Sequence, residues 1–235
     1  MRPAPHRRVV VFHHALYQKW WPLWEWFLSS LVDRMPVAMM AGPYHFGRVP
    51  AGEYPGESVC NPNPFKVFEA VRQWTWDQRA MHEVLEEHFN LEPAAVIGFS
   101  FGAFQTLLAA SVGILDLPIV SIASTNRYAY GVFNGALSRG IKEGLLKVGI
   151  DEARLESMTD SLQLERWVTR LNDHPVLYVD GIHDVVDPPP SLERLKAALS
   201  PMRAVHLPAG HGTMVLHRRR IADEIQGFFE AVGVG

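Results

Sequence analysis

A single cysteine, Cys60, stands among the 235 residues, so no internal disulfide forms and the fold must rest on its core. A chain of this length buries roughly 70 to 75% of the surface its unfolded form exposes, which is enough without a staple. Neither sign of charge dominates: 22 Lys and Arg against 25 Asp and Glu leave a net charge of −3. That excludes the strong basic excess of a non-specific nucleic-acid binder, and no nucleic-acid partner is expected. No run approaches the ~18 apolar residues of a membrane span. After the basic stretch Met1 to Arg8, the apolar run Val9, Val10, Val11, Phe12 is interrupted by His13 and His14, too early for a secretory signal. A cytoplasmic protein with a reduced Cys60 is the expectation. Internal repeats, low-complexity tracts and linkers are missing as well.

What is present is an alternation of short apolar runs with longer stretches of helical period, the pattern of βα units around a parallel sheet. Strands are expected at Val9 to Phe12, Val37 to Ala41, Ala94 to Phe99, Pro118 to Ala123, Val176 to Val179 and Ala204 to Leu207. Their nearly continuous hydrophobicity implies helices on both faces of the sheet. The clearest helix runs from Phe65 to Phe89, and others follow Phe101, Pro190 and Thr213. Four of the seven tryptophans fall between Trp20 and Trp26. Trp20, Trp24, Phe27, Leu28 and Leu31 recur as one helical face, which assigns Trp20 and Trp24 to the core and leaves Trp21 and Trp26 off the stripe. Residues 124–174 break the rhythm, because about fifty residues stand where a plain crossover needs about a dozen. Two or three helices outside the sheet are expected there, with Tyr128, Tyr130, Phe133 and Leu137 as candidate apolar contacts for a ligand.

The string Ala95 to Ala103 reads as a hydrophobic strand passing through Gly98-Phe99-Ser100-Phe101-Gly102 into a helix. A sharp turn of this kind exposes the serine hydroxyl above the sheet, and the helix N-terminus points N–H groups at a developing oxyanion. A serine needs a base and the base an orienting acid. Asp180, Asp184 and Asp187 follow the strand at Val176, and His211 follows the strand ending at Leu207. Those strand ends share one edge of an open parallel sheet, so Ser100, one of the carboxylates and His211 should converge.

In this order of Ser, Asp and His the chain resembles the α/β-hydrolase superfamily, over nearly its whole length. The resemblance implies a mostly parallel α/β sheet of about six strands with helices on both faces. It also implies a single domain over residues 1–235 with residues 124–174 as a small helical lid, and it lacks two leading strands common in the superfamily. Gly181-Ile182-His183-Asp184 matches the family's acid segment and Gly210-His211-Gly212 its histidine, which implies a catalytic set of Ser100, Asp184 and His211 with Asp187 as fallback. The implied oxyanion donors are the N–H groups of Phe101 and Ala15. In His13-His14-Ala15, His14 stands where the family usually has Gly. The expected pocket wall is His14, Leu16, Trp21, Tyr44 and Phe99, with His45 and Arg48 beside Tyr44. The implied activity is hydrolysis of a carboxylic ester or thioester of a small acyl substrate through an acyl-enzyme. Acyl transfer, peptide cleavage and C–C bond hydrolysis use the same residues, and a non-catalytic receptor for a small ligand is the alternative from another class. No cofactor and no metal is expected.

Overall fold

The computed structural model describes residues 7–32, 35–186, 195, 197 and 199–234. Six strands form one sheet in the order β2-β1-β3-β4-β5-β6, every neighbouring pair parallel. They are β1 Arg7–His13, β2 Val37–Met40, β3 Leu91–Phe99, β4 Ile119–Ile122, β5 Val176–Gly181 and β6 Arg203–Leu207. All six expected strands are present, with ends shifted by at most a few residues. The sheet is covered on both faces, which is why its strands read as apolar runs rather than as alternations. In β1, Val10 and Phe12 face one layer while Val9 and Val11 face the other and meet Leu85.

One layer consists of α1 Trp21–Val32 and the last helix, α8 Arg218–Ala231. Trp24, Phe27, Leu28 and Leu31 meet Ile221, Ile225, Phe228 and Phe229 over Phe12 and Ile97. Trp20 departs from the expectation: it is 68% exposed. The helix begins only at Trp21, so Trp20 precedes the first turn and the apolar stripe does not extend to it. Trp26 lies on the outer side, where the Arg218 guanidinium sits 4.8 Å from its ring.

The opposite layer is made by α2 Pro64–Phe89 and α3 Phe101–Ser111, whose Val67, Val71, Trp74, Phe104 and Leu107 form its core. Asn63 starts α2 by accepting the Phe65 N–H at 3.0 Å, with Pro64 in the first turn, and Asn90 ends it in the left-handed conformation. These are the local signals expected of helix ends.

Between β4 and β5 the chain forms α4 Tyr128–Asn134, α5 Arg139–Lys147, α6 Glu152–Met158 and the single turn α7 Val168–Leu171, with two 3-10 turns before α7. Three of these four short helices stand outside the sheet, within the expected two or three. The first three share a small core of Ala129, Val132, Phe133, Ile141, Leu145 and Leu155. Leu162, Leu164 and Leu171 instead pack into the main core beside α3, so only the earlier half of the segment stands apart from the sheet. The helix expected after Thr213 starts at Arg218, behind a 3-10 turn at Gly212–His217. The helix expected after Pro190 falls largely outside the described residues.

Candidate active site

Ser100 forms the turn from β3 into α3 with φ 56° and ψ −118°, a conformation that non-glycine residues hold only where the surroundings impose it. Two constraints do so. The Ser100 N–H donates to the Ile122 carbonyl at 2.8 Å, and the chain is pressed tightly on both sides. A Cβ on Gly98 would lie 2.4 Å from Ala103 Cα, and one on Gly102 would lie 2.3 Å from the His13 carbonyl oxygen. The loop after β1 therefore touches the first turn of α3, which brings Ala15 and Phe101 to the same place. Phe101 is the first residue of α3, where backbone N–H groups have no intrahelical acceptor.

His211, after β6, places Nε2 2.7 Å from Ser100 Oγ and Nδ1 2.7 Å from Asp184 Oδ2. Because a carboxylate only accepts, the proton on Nδ1 is donated to Asp184 and Nε2 is left to accept the serine hydroxyl. Asp184 is 4% exposed and its second oxygen accepts the Val186 N–H at 2.9 Å. The buried carboxylate is thus anchored on both sides. Asp180 is engaged elsewhere, by His206 Nδ1 from the paired position on β6. Asp187 lies outside the described residues. After β4, Ser124, Thr125 and Asn126 offer no carboxylate, and the Asn126 amide donates to Glu165.

Ser100 and His211 open into a cavity of about 330 Å³. Of the expected neighbours, Ala15, Leu16, Phe99 and Phe101 line it, and Tyr128 and Leu137 reach it from the inserted helices. His14, Trp21 and Tyr44 do not line it. The His14 ring turns behind the loop: Nε2 accepts the Gly42 N–H at 2.9 Å and Nδ1 donates to the Ala15 carbonyl at 2.7 Å. Trp21 stacks on Phe46 at 3.7 Å, and Tyr44 packs against the core on the α2 side. His45 and Arg48 are also held in structural contacts. His45 Nε2 accepts the Tyr17 N–H and its Nδ1 donates to the Pro43 carbonyl, while Arg48 pairs with Asp77. Burial lowers the His14 pKa to about 3, with repulsion from His45 adding to it, and burial lowers His45 to about 4. Both rings are neutral hydrogen-bonding links.

Sequence reasoning missed Tyr17, Trp24, Cys60, Thr125 and Arg127, which also line the cavity. Trp24 had a signal, the stripe of α1, but that stripe marks core and cavity wall alike. Burial pushes the Cys60 thiol up to about 11, so beside Ser100 it is a wall group rather than a nucleophile. Among the described residues no group of three or more His, Cys, Asp or Glu is arranged to hold a metal ion, and no helix is long and apolar enough to cross a membrane.

No family model and no curated protein matches the sequence. Solved structures do match. TT1662 from Thermus thermophilus superposes with a TM-score of 0.68 at 17% identity, covering 97% of this chain and 91% of that one. A structure from the study of LipS and LipT, two metagenome-derived lipolytic enzymes, matches with a TM-score of 0.65 at 16% identity over 97% and 95% of the two chains. The acylaminoacyl peptidase of Pyrococcus horikoshii matches with a TM-score of 0.72 at 12% identity; the match covers 97% of this chain and only 37% of the peptidase. Together with the parallel sheet and its helical layers, these likenesses show that the chain has the α/β-hydrolase fold.

Proposed function

We propose that the protein is a serine hydrolase of carboxylic esters or thioesters, built as one domain with residues 124–174 as a lid. The observation that carries this reading is the pair of 2.7 Å contacts joining Ser100 Oγ, His211 and Asp184 at the floor of the cavity. Ser100 Oγ attacks the acyl carbonyl while His211 Nε2 takes its proton, and the Asp184 carboxylate stabilises the imidazolium. The N–H groups of Ala15 and Phe101 stabilise the oxyanion. The proton then passes to the leaving alcohol or thiol, and a water activated by the same histidine hydrolyses the acyl-enzyme. Support for an acyl substrate comes from the wall, where Leu16, Trp24, Phe99, Val132 and Ile141 are apolar. The likeness to lipolytic enzymes points the same way.

The test is replacement of Ser100 by Ala. Turnover of short 4-nitrophenyl esters should vanish, and a fluorophosphonate probe should label the unaltered protein at Ser100 and the variant not at all. Undiminished turnover in the variant would refute the assignment. Absence of labelling in the unaltered protein would leave a ligand-binding protein with an inert hydroxyl.

A further inference from the structure

A second cavity, of about 510 Å³, lies against the one at Ser100: Tyr17, Cys60, Leu137 and Ile141 line both. It is framed by the loop before α2 on one side and by α5 on the other. These two segments are in tight contact, since a Cβ on Gly144 would lie 2.7 Å from Pro62 Cβ. The chemistry of this cavity differs from that of the apolar wall at Ser100. Glu57 lines it beside Tyr17 and Tyr54, whose ring centres are 6.0 Å apart. A reciprocal turn fixes the carboxylate there: the Glu57 N–H donates to the Tyr54 carbonyl at 3.1 Å, and Glu57 Oε2 accepts the Tyr54 N–H at 3.0 Å. Among the described residues no cation pairs with Glu57, and its Oε1 accepts no hydrogen bond. The basic residues flanking Gly140 and Ile141 on the α5 side are engaged elsewhere. Arg139 pairs with Glu143 at 2.9 Å, and Lys142 donates to the Phe133 carbonyl at 2.9 Å. Tyr54 is 54% exposed, so the cavity is reached from solvent.

Among the described lining residues Glu57 is the only side chain charged at neutral pH, which favours a cation and opposes an anion. One carboxylate near the surface attracts any cation weakly, and the remaining walls choose among them. Tyrosine rings attract a cation that gives up water readily, and Pro62, Leu137 and Ile141 add apolar contact. A metal ion would lose hydration there with a single carboxylate to replace it. An alkylated ammonium brings its own apolar groups to those walls and its charge to Glu57. We propose that the second cavity binds an alkylated ammonium group, with Glu57 as counter-ion and the rings of Tyr17 and Tyr54 as cation–π partners. The shared wall admits two sources of that group: an ester turned over at Ser100, or a separate small cation. Only the first source rests on the ester-hydrolase reading.

The experiment titrates the protein by calorimetry, at fixed ionic strength, with choline and with its uncharged isostere 3,3-dimethylbutan-1-ol. Choline should bind about tenfold more tightly, the combined effect of one ion pair and the aromatic rings. Glu57→Gln and Tyr54→Leu should each weaken choline about three- to fivefold and leave the isostere unmoved. Hydrolysis of an unsubstituted 4-nitrophenyl ester should stay within about twofold in both variants. No binding of choline, equal binding of the isostere, or choline affinity unchanged in either variant overturns the proposal. The source is then read from kcat/KM for butanoylcholine and for 4-nitrophenyl esters of 4-trimethylammoniobutanoate and 6-trimethylammoniohexanoate. Each is set against the analogue with a tert-butyl group in place of trimethylammonium. A preference of about tenfold for a charged ester that falls in Glu57→Gln assigns the cation to the substrate. Choline binding without such a preference assigns it to a separate ligand. If no ester is turned over, the hydrolase reading fails separately, and calorimetry still decides the site.

Discussion

The carboxylate of Asp184 accepts a hydrogen bond from His211 Nδ1 at 2.7 Å, while Asp180, earlier on the same strand end, is held by His206. Two aspartates compete in sequence for one role, and their histidine partners separate them. Asp184→Asn should lower kcat by about 10³- to 10⁴-fold, because an amide no longer fixes the imidazole tautomer or stabilises its cation. Asp180→Asn should leave kcat/KM within about threefold. Steady-state rates on a short 4-nitrophenyl ester check both, and the reverse ranking would move the acid to Asp180.

The strands were legible because a strand covered on both faces must be apolar along its length, as Val9 to Phe12 and Ala94 to Phe99 are. The candidate residues Ser100, Asp184 and His211 were legible because each follows a strand of one parallel sheet and so reaches one edge. The cavity wall was not. Tyr17, Cys60 and Tyr128 belong to three distant segments, and no local period marks a residue that meets its partners only after folding. Trp20 fits the stripe of Trp24 in spacing, yet the helix start at Trp21 removes it. The length of the inserted helices was equally hidden: Gly135 ends α4, and Gly149 at φ 75° lies between α5 and α6.

His14 holds the loop after β1 from behind, through the Gly42 N–H and the Ala15 carbonyl. His14→Ala should release the Ala15–Leu16 peptide, whose carbonyl it holds, and so loosen Ala15, whose N–H is on the preceding peptide. In the proposed mechanism the Ala15 N–H acts on charge formed in the transition state, so kcat should fall about tenfold while KM stays within about twofold. Steady-state kinetics on one ester make the distinction. A rise in KM at constant kcat would instead place the ring's influence on ground-state binding.

Gly102 has no room for a side chain, since a Cβ there would meet the His13 carbonyl oxygen at 2.3 Å. That neighbour is backbone of a central strand, so it cannot yield cheaply. Gly102→Ala should cost about 2 kcal/mol or more, lowering Tm by roughly 4 to 8 °C in a domain of this size. Gly47→Ala is the control, because nothing lies within 4 Å of its Cβ position, and its Tm should move by no more than about 1 °C. Thermal unfolding followed by circular dichroism reads both.

His13, His14 and His45 are fully buried, and His82 packs near His13. Burial is the main cause lowering each pKa, helped for His13 by His82 and His14, for His14 by His45, and for His45 by Arg48. His14 falls to about 3 and His45 and His82 to about 4, against an ordinary 6.5. Between these values and 6.5 the unfolded chain binds protons that the folded chain refuses. Stability from these rings is therefore complete above pH 6.5 and is lost as pH falls below it. Each fully buried ring contributes a slope of up to about 1.4 kcal/mol per pH unit. Urea unfolding at pH 7.5, 6.5, 5.5 and 4.5 should give a plateau followed by a steep fall, and His14→Gln should make that fall shallower by about one ring's share. A stability curve level from pH 7.5 to 4.5 would mean that the rings accept protons within the fold, and the neutral bridge assigned to His14 would go with it.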